Sequence, residues 1–134
     1  MAICVTIYDE TLSGERSGGL RLDLLSSTIT LRELIRRRVF EEVQEYHAAP
    51  PSAVFRGLVT PTETEAALNG LKADHTVKQR VDWEAQYERA LSAFARNGFF
   101  VLVGDRQVES LDEELTLRVD TEVSFVKLVP LVGG

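Results

Sequence analysis

The chain has 134 residues, 15 Lys and Arg against 21 Asp and Glu, a net charge of −6, and 44% hydrophobic residues. That length suits one domain with a real core, and the acidic balance argues against a nucleic-acid partner, since phosphate neutralisation needs clustered cations. No apolar run approaches the roughly 18 residues of a membrane span, so no membrane partner is expected.

The opening "MAICVTIYDE" has no basic n-region and carries Asp9 and Glu10, so it does not read as a signal peptide. Cys4, the single cysteine, excludes an internal disulfide and fits a reducing compartment, so a cytoplasmic protein is expected. Residues 3–8, rich in β-branched and aromatic side chains, predict a first strand. Gly14, Gly18 and Gly19 then supply a turn. "LRLDL" alternates, placing Leu20, Leu22 and Leu24 on one face of a second strand, and the two runs predict a hairpin.

A long helix follows from Leu31. Thr30 and Glu33 have the spacing of a capping box, Leu31, Leu34, Ile35, Val39, Val43 and Tyr46 form an apolar stripe, and Pro50 and Pro51 stop it. Beyond it, Thr60, Pro61 and Glu63 suggest a short helix, and residues 70–80 a mobile loop. Another helix is expected near Asp82, with Trp83, Tyr87, Leu91 and Phe94 on one stripe and Asn97-Gly98 as its left-handed cap. "FFVLV", a two-residue "GD" turn and "RQV" predict a second hairpin. Ser110 or Asp112 would cap a helical turn, and residues 123–129 form the last strand. Leu22, Leu34, Ile35, Val43, Val101 and Phe125 are the expected core.

Little here reads as catalysis. Cys4 sits mid-strand, where a small buried thiol is the expected role. His47 and His75 have no second ligand at metal spacing, so no metal site is expected. The glycines near residue 14 lack the Lys-Ser/Thr pair of a phosphate loop. Arg36, Arg37 and Arg38 spread around a helix rather than converging, and Glu33, Glu41 and Glu42 lie at pairing distance, so a solvated face is expected. No enzymatic activity and no bound cofactor are predicted.

The strand-strand-helix-strand-strand-turn-strand order is that of the β-grasp fold. "FFVLVGDRQVESLDEELTL" resembles the ubiquitin stretch of an apolar strand, a glycine turn, a Gln-hydrophobic-Glu return strand and a Leu-bearing turn. "EVSFVKLVPLVGG" resembles its last strand and its Leu-x-Gly-Gly tail, here Leu131-Val132-Gly133-Gly134. The resemblance implies an α+β fold, a ubiquitin-like β-grasp spanning residues 1–134 as a single domain. A helical insertion over about residues 48–98 separates the main helix from the third main strand, where ubiquitin has a short loop. Pro130 would end the strand by removing a ladder donor, leaving a flexible tail over residues 130–134.

The same resemblance implies a protein modifier. An ATP-dependent activating enzyme would adenylate the Gly134 carboxylate, with ATP used by the partner rather than bound as a cofactor. Conjugation machinery would then join the chain to a target protein by an acyl bond. Gly133 and Gly134 would be the conjugation residues, narrow enough to thread the partner's channel, and Leu131 and Val132 the partner-binding ones. The arginines that ubiquitin presents in this tail are replaced by Pro130 and Val132, which calls for an adapted activating enzyme. Two alternatives share the fold: a sulfur carrier ending in a thiocarboxylate, and a non-conjugated protein-binding module.

Overall fold

The computed structural model describes residues 3–50, 58 and 81–128. The expected helix near Thr60, the expected loop over 70–80, His75, Pro130 and the tail residues Leu131, Val132, Gly133 and Gly134 lie outside the described residues.

Strand β1 (Ile3–Thr11) and strand β2 (Arg16–Leu24) form the predicted hairpin. Its turn is tighter than the glycines suggest: Thr11 N–H donates to Glu15 O at 2.9 Å and Gly14 N–H to Thr11 O at 3.0 Å. Gly18 and Gly19 are not in the turn but inside β2, with φ of 92° and 118°. There the register slips between Ile7 and Tyr8, so Ile7 faces Leu20 while Tyr8 faces Gly18. The extra residue is a β-bulge, and a positive φ at both positions is what only glycine adopts without strain.

Strand β3 (Thr28–Thr30) leads directly into helix α1 (Leu31–Ala48). Thr30 caps it as predicted, its hydroxyl accepting from Glu33 N–H at 3.2 Å. The reciprocal half of the capping box does not form, because the Glu33 carboxylate pairs with Arg36 at 3.1 Å. Two more first-turn amides find carbonyls far along the chain: Leu31 N–H donates to Glu113 O at 3.2 Å and Arg32 N–H to Leu111 O at 2.9 Å. The helix start is thereby fastened to the segment expected to be a helical turn. That segment is instead a non-helical turn at Ser110, whose Oγ accepts from Asp112 N–H at 3.2 Å.

Helix α2 (Trp83–Ala95) starts at the Asp82 cap and ends as expected, with Asn97 at φ 61°. Asn97 N–H donates to Phe94 O and Gly98 N–H to Ala93 O at 2.7 Å, a Schellman closure. Strands β4 (Phe99–Val103), β5 (Arg106–Val108), β6 (Glu114–Thr116) and β7 (Glu122–Lys127) complete the chain, β4 and β5 joined by the predicted Gly104-Asp105 turn.

The result is a mixed α+β architecture. Its five-stranded sheet has the order β2-β1-β7-β4-β5, and β3 with β6 forms a separate two-stranded sheet. The first and last strands are neighbours and run parallel, Thr6 facing Glu122 and Thr11 facing Lys127. The expected core holds: Leu22, Leu34, Ile35, Val43, Val101 and Phe125 are all buried. Val5 and Ile7 of β1 join them, and the apolar stripe of α1 packs on this inner face of the sheet.

Helix α2 packs where its stripe predicted. Trp83, Tyr87, Leu91 and Phe94 are half-buried against the core. Phe40 meets Trp83 edge-on at 5.4 Å, and rings run from Phe94 through Phe99 to Phe125 at 5.8 Å each. One α2 residue departs from the apolar pattern: Gln86 is buried, and its Oε1 has no hydrogen-bond partner among the described residues. A buried acceptor without a donor costs stability, so Gln86→Met should raise the unfolding free energy by about 1 kcal/mol. Urea denaturation compared with the unaltered protein checks this, and a loss of stability would mean that the amide is satisfied.

Candidate functional site

The most heavily charged buried spot in the described residues lies where the last strand leaves the sheet. Position 9 of β1 continues the inward alternation of Val5 and Ile7, so Asp9 points toward α1 at the end of the parallel β1–β7 pair. Arg38 sits on the α1 stripe one turn beyond Leu34 and Ile35, and only 3% of it is exposed. Its guanidinium approaches Asp9 with two nitrogens, Nη1 to Oδ1 at 2.7 Å and Nη2 to Oδ2 at 2.9 Å. The first contact is close but misdirected, leaving both atoms without a well-aligned hydrogen bond. Arg38 Nε donates to Glu42 Oε1 at 3.1 Å, and the guanidinium carbon lies 4.5 Å above the Phe125 ring. The solvated face expected of Arg36, Arg37 and Arg38 is therefore wrong for Arg38. Arg36 pairs with Glu33 and lies over Trp83, and Arg37 pairs with Glu41, both on the exposed side.

Two further groups join the cluster. Lys127, the last residue of β7, brings its ammonium within 3.7 Å of Asp9 Oδ2. Leu58 N–H donates to Glu42 Oε1 at 3.2 Å while its side chain enters the core. One arginine thus ties β1, the tail strand, α1 and the segment that follows α1.

Burial opposes the charge on Arg38, but Glu42 and Asp9 more than offset it, holding the guanidinium protonated above its ordinary range. Glu42 goes the other way. Burial raises its carboxyl above the ordinary value of 4.5, and Arg38 and the Leu58 amide only partly offset that shift. The native protein therefore takes up a proton at a pH where the unfolded chain does not. The contribution of Glu42 to stability rises as pH falls through its raised value, and levels off below the ordinary one. The stability of the unaltered protein minus that of Glu42→Gln should accordingly grow as pH is lowered from neutrality, read by denaturation at a series of pH values. A difference that shrinks on acidification would contradict the assigned direction.

The chain leaves the sheet beside this cluster. Leu128 N–H donates to Gly98 O at 3.1 Å, the last backbone bond after β7 among those of the described residues. A Cβ at Gly98 would meet Ala93 O at 3.2 Å, so the helix-to-strand junction that receives the tail strand is closely packed. The residues expected to carry function, Gly133, Gly134, Leu131 and Val132, follow Leu128 and lie outside the described residues.

The other candidates are distributed. Cys4 is half-exposed on β1 rather than buried as expected. His47 is exposed near the end of α1, where Nε2 accepts from Val81 N–H at 3.1 Å. Among the described residues no group of three or more His, Cys, Asp or Glu is placed to hold a metal, and no helix is long and apolar enough to cross a membrane. The buried cluster contains cations and carboxylates but no nucleophile; what it can do chemically is anchor and orient. No family model, no curated protein and no solved structure matches the chain.

Proposed function

We propose that the chain is a ubiquitin-like modifier of β-grasp fold, activated at the Gly134 carboxylate and joined through it to a target protein. The observation that carries this reading is the parallel pairing of β1 with β7 at the centre of a β2-β1-β7-β4-β5 sheet. The long helix α1 enters the chain between the two hairpins, as in the β-grasp arrangement. In that arrangement the last strand is gripped from both sides and its C-terminal continuation projects from the domain. Here the strand is held by β1 and β4, and its end is fastened by Lys127 to Asp9 and by Leu128 to Gly98. A strand so anchored can present a terminal segment without disturbing the core.

The chemistry belongs to the partner. The Gly134 carboxylate attacks the α-phosphorus of ATP, giving an acyl-adenylate and releasing pyrophosphate. A cysteine thiolate of the activating enzyme displaces AMP to form a thioester, and a target amine displaces that thiolate to form an amide. Glycine suits the terminal positions because nothing at Cα hinders either displacement. Within this reading Leu131 and Val132 are contacts for the activating enzyme, and helix α2 is a structured part of the insertion.

The test uses the full chain tagged at its N-terminus, incubated in extract of the native host with and without ATP. Higher-mass adducts that need ATP and disappear when Gly133 and Gly134 are removed are the expected result. Adducts that persist without the two glycines would overturn it. A thiocarboxylate in place of adducts would assign the chain to the sulfur carriers instead.

A further inference from the structure

Far from the tail exit, the fold presents a second surface that the modifier reading does not use. Among the described residues three large apolar side chains are exposed, Leu12, Leu25 at 92% and Val119 at 78%, and the last two share one pole. The β3–β6 ladder pairs Thr28 with Thr116, and the bond from Leu117 N–H to Ser27 O at 2.7 Å carries it one step further. Leu25 comes three residues before Thr28 and Val119 three residues after Thr116, so both lie at the same end of the ladder.

Neither residue stands on loose chain. Val119 occupies a turn closed by Thr121 N–H to Arg118 O at 3.0 Å and by Arg118 N–H to Thr121 Oγ1 at 2.9 Å. Leu25 precedes a turn in which Thr28 N–H donates to Ser26 Oγ at 3.1 Å. Turn tips favour polar residues, and a fixed turn holding an apolar side chain in water spends hydration free energy that burial in a complex would recover.

On the other side of β6, an open depression of about 690 Å³ lies between the β4–β5 turn and the Asp120 turn. Asp105, Glu114 and Asp120 line it, and none of the three has a cationic partner among the described residues. Glu122 at its edge is taken by Arg16, and its one cation, Arg106, is paired with Glu113. An apolar rim beside an uncompensated acidic hollow repels phosphate and anionic lipid and complements a cation flanked by apolar groups.

We infer that this pole, formed by Leu25, Val119 and the hollow bearing Asp105, Glu114 and Asp120, docks a protein segment in which lysine or arginine alternates with apolar side chains. The test is an amide-shift titration of the full, isotopically labelled chain with a short peptide of lysine and leucine. Two control peptides replace its lysines by glutamate or its leucines by serine.

The lysine–leucine peptide should shift residues 25–27, 103–106 and 114–121, and both controls should bind at least tenfold more weakly. Leu25→Ser combined with Val119→Ser should weaken binding about tenfold, and Asp105→Asn combined with Asp120→Asn should reduce its salt dependence. All four side chains lie at turns on the surface, so unchanged melting is expected for both variants. Absence of binding, shifts elsewhere, equal binding of the glutamate peptide or indifference to both variants would overturn the inference. Shifts at this pole that depend on protein concentration without peptide would overturn it too, by showing a second copy to be the occupant.

Discussion

Arg38→Ala should lower the unfolding free energy by about 3 to 5 kcal/mol, a large share of what a domain of this size possesses. Three losses combine. The two-nitrogen grip on Asp9 and the bond to Glu42 disappear, leaving two partly buried carboxylates with, among the described residues, the Lys127 ammonium 3.7 Å from Asp9 as the remaining cation. The guanidinium no longer covers the Phe125 ring, so a cavity opens beside that ring.

The companion variant separates charge from volume. Arg38→Met with Asp9→Leu and Glu42→Leu replaces the ions by apolar groups, and should recover most of the loss because a whole buried cluster can be exchanged at little cost. Urea denaturation with linear extrapolation reads both. A loss below about 1 kcal/mol for Arg38→Ala would place the residue in solvent, where exposed pairs contribute that little.

The second large effect is on conjugation rather than stability. Removing Gly133 and Gly134, or adding one residue after them, should abolish adduct formation while leaving the unfolding midpoint unchanged, because glycine has no side chain with which to support a core and terminal residues commonly fray. Gly133→Val should fail as well, since a β-branched side chain restricts the backbone and widens the tail where it must thread a narrow channel. Lys72, Lys78 and Lys127 changed together to Arg should leave the first conjugation step intact, because in the proposed reaction the chain supplies the acyl group and the target supplies the amine. Arginine at position 127 keeps a cation beside Asp9, so this variant should also fold. ATP-dependent adducts resolved by mass in host extract distinguish these outcomes. Full activity of the extended chain would make the terminal glycines incidental.

Much of this fold was legible from periodicity. Alternation in "LRLDL", the stripe from Leu31 to Val43 and the cap at Thr30 each placed an element, because each reports which side of a strand or helix avoids water. Helix α2 was legible in the same way from Trp83, Tyr87, Leu91 and Phe94, and its end from Asn97. What escaped was carried by interactions distant in sequence. Strands β3 and β6 have three residues each, too short for any period; they pair with each other next to the bonds from Leu31 and Arg32 N–H to Glu113 and Leu111 O, all contacts distant in sequence. Gly18 and Gly19 read as turn residues because a bulge and a turn ask the same thing of the backbone.

The buried cluster was also present in the pattern, though masked by charge. Asp9 is in phase with Val5 and Ile7, and Arg38 is in phase with Leu31, Leu34 and Ile35. Following phase rather than polarity would have placed both inside. Glu42, four residues after Arg38, was read as a surface partner of that arginine, and it proves to be the interior one. The tail could be read only as a resemblance, since Leu131-Val132-Gly133-Gly134 has no periodicity from which contacts could be inferred.

The proposed role requires the Gly134 carboxyl to become the acyl half of a bond to another protein. The most direct measurement is mass spectrometry of the N-terminally tagged chain purified under denaturing conditions from its native host, with the junction peptide sequenced. The expected species has Gly134 joined by an amide to a lysine or an amino terminus of a second protein. A population that ends only in the free carboxylate, or a chain that continues past residue 134 without being cleaved there, would contradict it.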